Sequence, residues 1–98
     1  MNDRRRAMIL GAFVADAASM GTHWIYDQAR LRDISTETPE FQGPDAAHYK
    51  DVRGYFAHPD RASGEMSQYG AQMLVMLRSL ASSGGYNQAN YEQEFASL

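Results

Sequence analysis

Between Ala7 and Ala18 the chain offers no polar face to solvent: Met8, Ile9, Leu10, Ala12, Phe13, Val14 and Ala17 cover nearly every direction of a helical wheel, and Asp16 is the one charge among them. A helix that is apolar all round is a buried helix, so this segment predicts a first helix, from Arg5 to about Met20, packed on several sides. Asp3 is the expected N-cap and Gly21 the expected stop, because glycine enters the left-handed conformation without a Cβ clash. The demand is heavy for 98 residues, since a chain of this size buries only about 60–70% of its unfolded surface. With no cysteine in the sequence, neither disulfides nor thiolate metal cages support so small a core.

The remaining organisation follows from periodicity and breakers. A short second helix is expected from Asp27 to Asp33, with Asp27 as its cap. All three prolines, Pro39, Pro44 and Pro59, fall between Ile34 and Gly64 with no sustained period, which predicts a long irregular loop whose aromatics Phe41, Tyr49, Tyr55 and Phe56 need a surface to cover. Met66, Tyr69, Met73, Met76, Leu77 and Leu80 then recur at helical spacing, and Ser82 to Gly85 stop that helix. Asn87 caps a fourth, with Tyr91, Phe95 and Leu98 on one face and no stop signal before the last residue. No strand pattern, internal repeat or heptad array is present. The expectation is an all-α chain.

Charge and composition exclude several functions. A net charge of −3 and one basic cluster, Arg4 to Arg6, give no nucleic-acid footprint. That cluster and the apolar run behind it resemble a secretory leader, but Asp16 interrupts the run, which is too short to span a bilayer. The expected setting is cytoplasmic, with no membrane partner.

Few residues carry chemistry. Asp16 sits in the most apolar stretch, where an unpaired carboxylate costs several kcal/mol and acquires a partner or a proton; it is either a structural acceptor for loop backbone or a functional acid. His23, His48 and His58 are the only histidines, and none pair at the i, i+4 spacing of helix-borne zinc sites. His23, set among Trp24, Ile25 and Tyr26, forms either the lip of a pocket or a packed plug. The polar entry from Ser63 to Gly70 offers helix-start N–H groups to an anion or to its own caps.

Two stretches in order, Gly11-Ala-Phe-Val-Ala-Asp-Ala-Ala-Ser-Met-Gly-Thr-His-Trp-Ile-Tyr-Asp27 and Gly64-Glu-Met-Ser-Gln-Tyr-Gly-Ala-Gln-Met-Leu-Val-Met-Leu-Arg-Ser-Leu80, resemble the ADP-ribosylglycohydrolase family, in particular its J1-crystallin and selenoprotein-J-like branch. The resemblance implies an all-helical domain longer than this chain, of which residues 1–98 are an incomplete N-terminal fragment, inactive in isolation. It implies hydrolysis of ADP-ribose glycosidic linkages by the whole. In the hydrolytic branch a Gly-Asp pair, a later glutamate and a Thr-Asp-Asp-Thr run serve the site, and two magnesium ions are held in part by that run. Here those positions read Ala15-Asp16, His23, and Ser67, Gln68, Tyr69 and Gly70. An amide and a phenol replace both acids that would neutralise Mg²⁺, so no metal ligand is assigned in this chain.

Carried over residue by residue, the resemblance makes Asp16 and His23 the catalytic pair, Asp16 orienting a water or substrate hydroxyl and His23 carrying a proton. Trp24, Tyr26, Ser67, Gln68 and Tyr69 become the groups that bind an ADP-ribose-like small molecule. A non-catalytic, crystallin-like helical protein is the alternative. A third reading is a self-contained helical protein that self-associates through its exposed apolar helix faces, such as the stripe from Met66 to Leu80.

Overall fold

A computed structural model describes residues 2–35 and 37–98; Met1, and Thr36 within the long irregular segment, lie outside the described residues. Helix α1 spans Asp3–Ser19, α2 Gln28–Ile34, α3 Gln68–Ser83 and α4 Gln88–Ala96, with single 3-10 turns at Met20–Thr22 and Ala46–Tyr49. No strand occurs among the described residues, and one isolated antiparallel bridge joins Ile25 to Gly54. The chain is all-α, and the segment between α2 and α3 is irregular apart from its 3-10 turn.

Local chemistry sets the helix ends. Asn2, in an extended backbone conformation, caps α1 by accepting the Arg5 N–H at 2.9 Å. Asp3, expected as the cap, is instead the first helical residue, where its charge meets the positive end of the helix dipole. Asp27 caps α2 through the Arg30 amide at 2.7 Å and Asn87 caps α4 through that of Asn90 at 3.0 Å. Gly84, at φ +69°, takes the left-handed conformation after α3, which glycine adopts without a Cβ clash. Met66, expected at the head of the third helix, precedes it. The fourth helix closes at Ala96, short of the last residue, where the Ser97 N–H bonds the Glu94 carbonyl at 3.2 Å.

Two compact units divide the chain, Met1–Ser67 and Gln68–Leu98. In the first, Ala17, Met20 and Ile25 are the buried apolar residues, all at or just beyond the C-terminal end of α1. The irregular segment folds back onto this end. The Phe41 N–H bonds the Ala18 carbonyl at 2.8 Å, and the Ser63 hydroxyl bonds the Phe41 carbonyl. Arg30 of α2 donates to the carbonyls of Ala47 and His48, each at 3.0 Å, tying the 3-10 turn to the helix. Around the bridge, the Tyr26 N–H bonds Arg53 and the Tyr55 N–H bonds Trp24. Gly54 is needed there because a Cβ would stand 2.3 Å from the Trp24 carbonyl oxygen. Of the loop aromatics, Tyr49 and Phe56 pack ring against ring at 4.9 Å, whereas Phe41 and Tyr55 remain exposed.

The burial expected for the first helix is not found. Met8 is 68% exposed and Leu10 and Val14 57% each, and Ala17 is the buried residue of α1. An apolar surface running right round a helix needs neighbours on every side, and the described residues of this unit cover only its C-terminal turns.

In the second unit α3 and α4 pack together, and Val75 and Ser79 of α3 are buried. The buried Ser79 hydroxyl donates to Oδ1 of Asn90 at 2.7 Å, and the Ser82 hydroxyl shares that acceptor at 3.2 Å. Phe95 and Leu98, expected on one face with Tyr91, are exposed. Among the described residues no helix is long and apolar enough to cross a membrane.

Candidate functional site

Asp16 lies in the last turn of α1, and its carboxylate receives both donors of a single residue 51 positions away: the Ser67 N–H reaches Oδ2 at 2.8 Å and the Ser67 hydroxyl reaches Oδ1. Ser67 is 1% exposed. A charged acceptor taking two hydrogen bonds makes a strong, geometrically specific clamp. The anion at the Ser67 amide is therefore the chain's own carboxylate, and Asp16 finds the backbone partner that its apolar setting requires. A carboxylate has about four lone-pair sites, so Ser67 fixes its orientation without exhausting its capacity to accept.

Beside this clamp, in the same unit, lies a run of four rings. His23 follows the 3-10 turn that ends α1, and its ring centroid is 4.9 Å from Trp24 and 5.4 Å from His58; Trp24 is in turn 5.9 Å from Tyr55. The run passes from Tyr55, 64% exposed, through half-buried Trp24 and His23 to His58, 7% exposed. Trp24 holds the left-handed conformation at φ +62°, a cost of roughly 1–2 kcal/mol for a non-glycine residue. Its carbonyl, bonded by the Tyr55 N–H at 3.0 Å, fastens the strained residue to the bridge. The Tyr49 hydroxyl donates to the His23 carbonyl at 2.7 Å. Burial raises the pKa of Tyr49, which keeps that hydroxyl a donor.

His23 is held below the ordinary histidine range, first by burial and then by repulsion from His58, with Asp16 acting in the opposite sense. At neutral pH it is a neutral imidazole, able to accept a proton. The consequence for stability has a definite sign. A folded value below the unfolded one means that the unfolded chain binds more protons in the window between them, so the contribution is complete above about pH 6.5 and lost as pH falls through the folded value. Urea melts between pH 7.5 and pH 5 are expected to show falling stability, with part of the slope removed in His23→Gln; an identical slope in that variant overturns the assignment.

Of the residues expected at the site, Asp16, His23, Trp24 and Ser67 belong to one unit. Tyr26, in the same unit, is 59% exposed, and the rings of His23 and Tyr55 lie beside Trp24. Gln68 and Tyr69 open α3 in the second unit, with Tyr69 55% exposed. Sequence reasoning gave His58, Tyr55 and Tyr49 no part here. They lie in the irregular segment, where no period signals which side chains face inward.

The donor set does not suit the magnesium that the family's hydrolytic branch uses. Among the described residues no three of His, Asp or Glu converge as ligands. The Asp16 carboxylate is oriented by an N–H and an O–H, and the neighbouring imidazoles are softer than the oxygen ligands that Mg²⁺ takes.

Comparison with known proteins agrees with the motif order. The chain is 33% identical over 91 residues to Crystallin J1A of Tripedalia cystophora, an alignment covering 91% of this chain and 26% of that protein. It is 32% identical over 93 residues to Crystallin J1B of the same organism, covering 93% and 26%. The chain thus spans about a quarter of the length of these relatives. No solved structure matches it. The ADP-ribosylglycohydrolase family model matches residues 1–98, and the chain belongs to that family.

Proposed function

We propose that these residues are the N-terminal portion of a single helical domain that binds an ADP-ribose-type ligand and hydrolyses its glycosidic linkage, the isolated chain being inactive. The observation that supports this most directly is the gathering of an oriented carboxylate, Asp16, a neutral imidazole, His23, and an aromatic surface, Trp24, within one unit. In this reading Ser67 aims the carboxylate, and the lone pairs left to Asp16 orient a water or a sugar hydroxyl. His23 takes the proton lost by a water whose oxygen bonds to the anomeric carbon and passes it to the leaving group as the glycosidic bond breaks, a task suited to a base that is unprotonated at working pH. Trp24, with Tyr55 beside it, supplies a face for a planar group.

The test is release of ADP-ribose from an ADP-ribosylated peptide by the whole domain, compared with its Asp16→Asn and His23→Ala variants. Each substitution is expected to lower kcat by roughly 100-fold or more. Unchanged turnover in both variants removes these residues from the mechanism.

A second reading, a crystallin-like protein that binds or packs without chemistry, is favoured by the similarity to two crystallins and by Gln68 and Tyr69 at the positions of the family's acids. It requires ADP-ribose binding, measured by calorimetry, to be the same in EDTA as in magnesium and to be followed by no turnover.

A further inference from the structure

Only half of the exposed face of the bridge between Ile25 and Gly54 has a role in the function proposed above. Ile25 is buried and Gly54 has no side chain. Two further cross-strand pairs flank them: Trp24 opposite Tyr55, whose N–H bonds the Trp24 carbonyl at 3.0 Å, and Tyr26 opposite Arg53, where the Tyr26 N–H bonds the Arg53 carbonyl at 2.9 Å. Side chains alternate along extended backbone, so residues flanking the buried Ile25 are turned away from it. The exposure of Tyr26, Arg53 and Tyr55 agrees with this, and half-buried Trp24 joins them through its ring contact with Tyr55 at 5.9 Å. The Arg53 guanidinium enters no ion pair among the described residues. Asp27, the acid beside Tyr26, has its carboxylate on the Arg30 N–H at 2.7 Å.

An arginine fork without a carboxylate partner suits phosphate, and neighbouring rings suit a base, whose stacking needs no particular hydrogen-bond pattern. Two residues of extended chain, about 7 Å, separate the two flanking pairs, a span comparable with the reach from the base of a nucleotide to its 5′-phosphates. The left-handed backbone of Trp24 is strain of the kind that persists where a ligand is clamped. We propose that this face holds the adenosine diphosphate part of the ligand, with the base stacked against Trp24 and Tyr55, the phosphates on Arg53, and Tyr26 bordering both. The assignment rests on the ligand class of the function proposed above and not on its hydrolysis. It adds Arg53, which no motif in the sequence marks, as the residue that distinguishes a phosphorylated ligand from a bare nucleoside.

Trp24 is the only tryptophan in the sequence, so the tryptophan emission of the 98-residue chain reports this face alone. Titration with ADP is expected to quench that emission saturably, and adenosine to do so with roughly tenfold weaker affinity, the difference being the charge-assisted bonds to phosphate. Arg53→Gln is expected to bring ADP down to the affinity of adenosine. Tyr55→Ala is expected to weaken both by roughly tenfold through lost stacking. ADP-ribose is expected to displace ADP. Absence of saturable quenching, equal affinities for ADP and adenosine in the parent, or an Arg53→Gln variant that still prefers ADP each overturn the proposal, and so does ADP that ADP-ribose cannot displace. Arg53 is exposed, so its variant decides even if Tyr55→Ala does not fold. Failure of the hydrolytic reading appears separately, as a whole domain that binds ADP at this face and releases no ADP-ribose from the modified peptide.

Discussion

Replacing Gly21 by alanine is expected to destabilise the chain by about 3 kcal/mol, at the upper end of what overpacking a tight contact costs. The reason is a backbone approach rather than a conformational preference. A Cβ on Gly21 would stand 1.7 Å from the Gln42 carbonyl oxygen and 2.5 Å from its carbonyl carbon. Neither is the movable end of a side chain, so relief requires the loop to separate from the 3-10 turn. That displacement reaches the neighbouring Phe41, and with it the hydrogen bonds to Ala18 and from Ser63. Gly11 provides the contrast. It lies within α1, where an added Cβ meets nothing within 4 Å, so Gly11→Ala is expected to stabilise by up to about 1 kcal/mol through helix propensity alone. Urea denaturation followed by circular dichroism measures both. A Gly21→Ala variant within about 0.5 kcal/mol of the parent, the range of ordinary surface changes, would show that the loop does not lie against the turn.

The second large effect is expected at Asp16. Its removal leaves the Ser67 N–H and hydroxyl buried without their acceptor, and Asp16→Ala is expected to cost about 2–4 kcal/mol, from hydrogen bonds to a charged group and the desolvation of orphaned donors. Asp16→Asn retains one good acceptor but presents an NH₂ where a second acceptor was needed, so an intermediate loss is expected. Ser67→Ala removes the hydroxyl and keeps the amide bond, leaving Asp16 with one donor in place of two. The order Asp16→Ala, Asp16→Asn, Ser67→Ala, from most to least destabilised, is read from the same urea melts. Equal stability of Asp16→Ala and the parent would sink the clamp and, with it, the oriented carboxylate on which the proposed mechanism depends.

Much of the fold was legible in the sequence because its signals are local. Asp27 and Asn87 cap the helices they were expected to cap, the Ser-Gly run after Leu80 ends α3, and the proline-rich stretch is irregular. The misreading of Asp3 for Asn2 arose because both side chains are competent caps, and only the backbone conformation decides between them. Burial was less legible. Period and composition show that α1 is apolar all round, but not which neighbours cover it, and Met8, Leu10 and Val14 are exposed in this unit. At the site, Asp16 stood out as the one charge in an apolar run, and its need for a partner was a matter of solvation. Its choice of Ser67, and the approach of His58 to His23, depend on the path of the irregular segment, which no local pattern encodes.

The clamp between Asp16 and Ser67 also bears on the order in which this unit folds. A contact closing 51 residues of chain requires a large loss of chain freedom, and the caps and the single turns of helix require almost none. Helices α1 and α2 can therefore form early, while the oriented carboxylate exists only once the intervening segment is seated against the turn at Gly21. Substitutions along that segment that touch neither Asp16 nor Ser67 should delay the clamp's formation, so the site's geometry registers the path of a loop that contributes little to the buried apolar core.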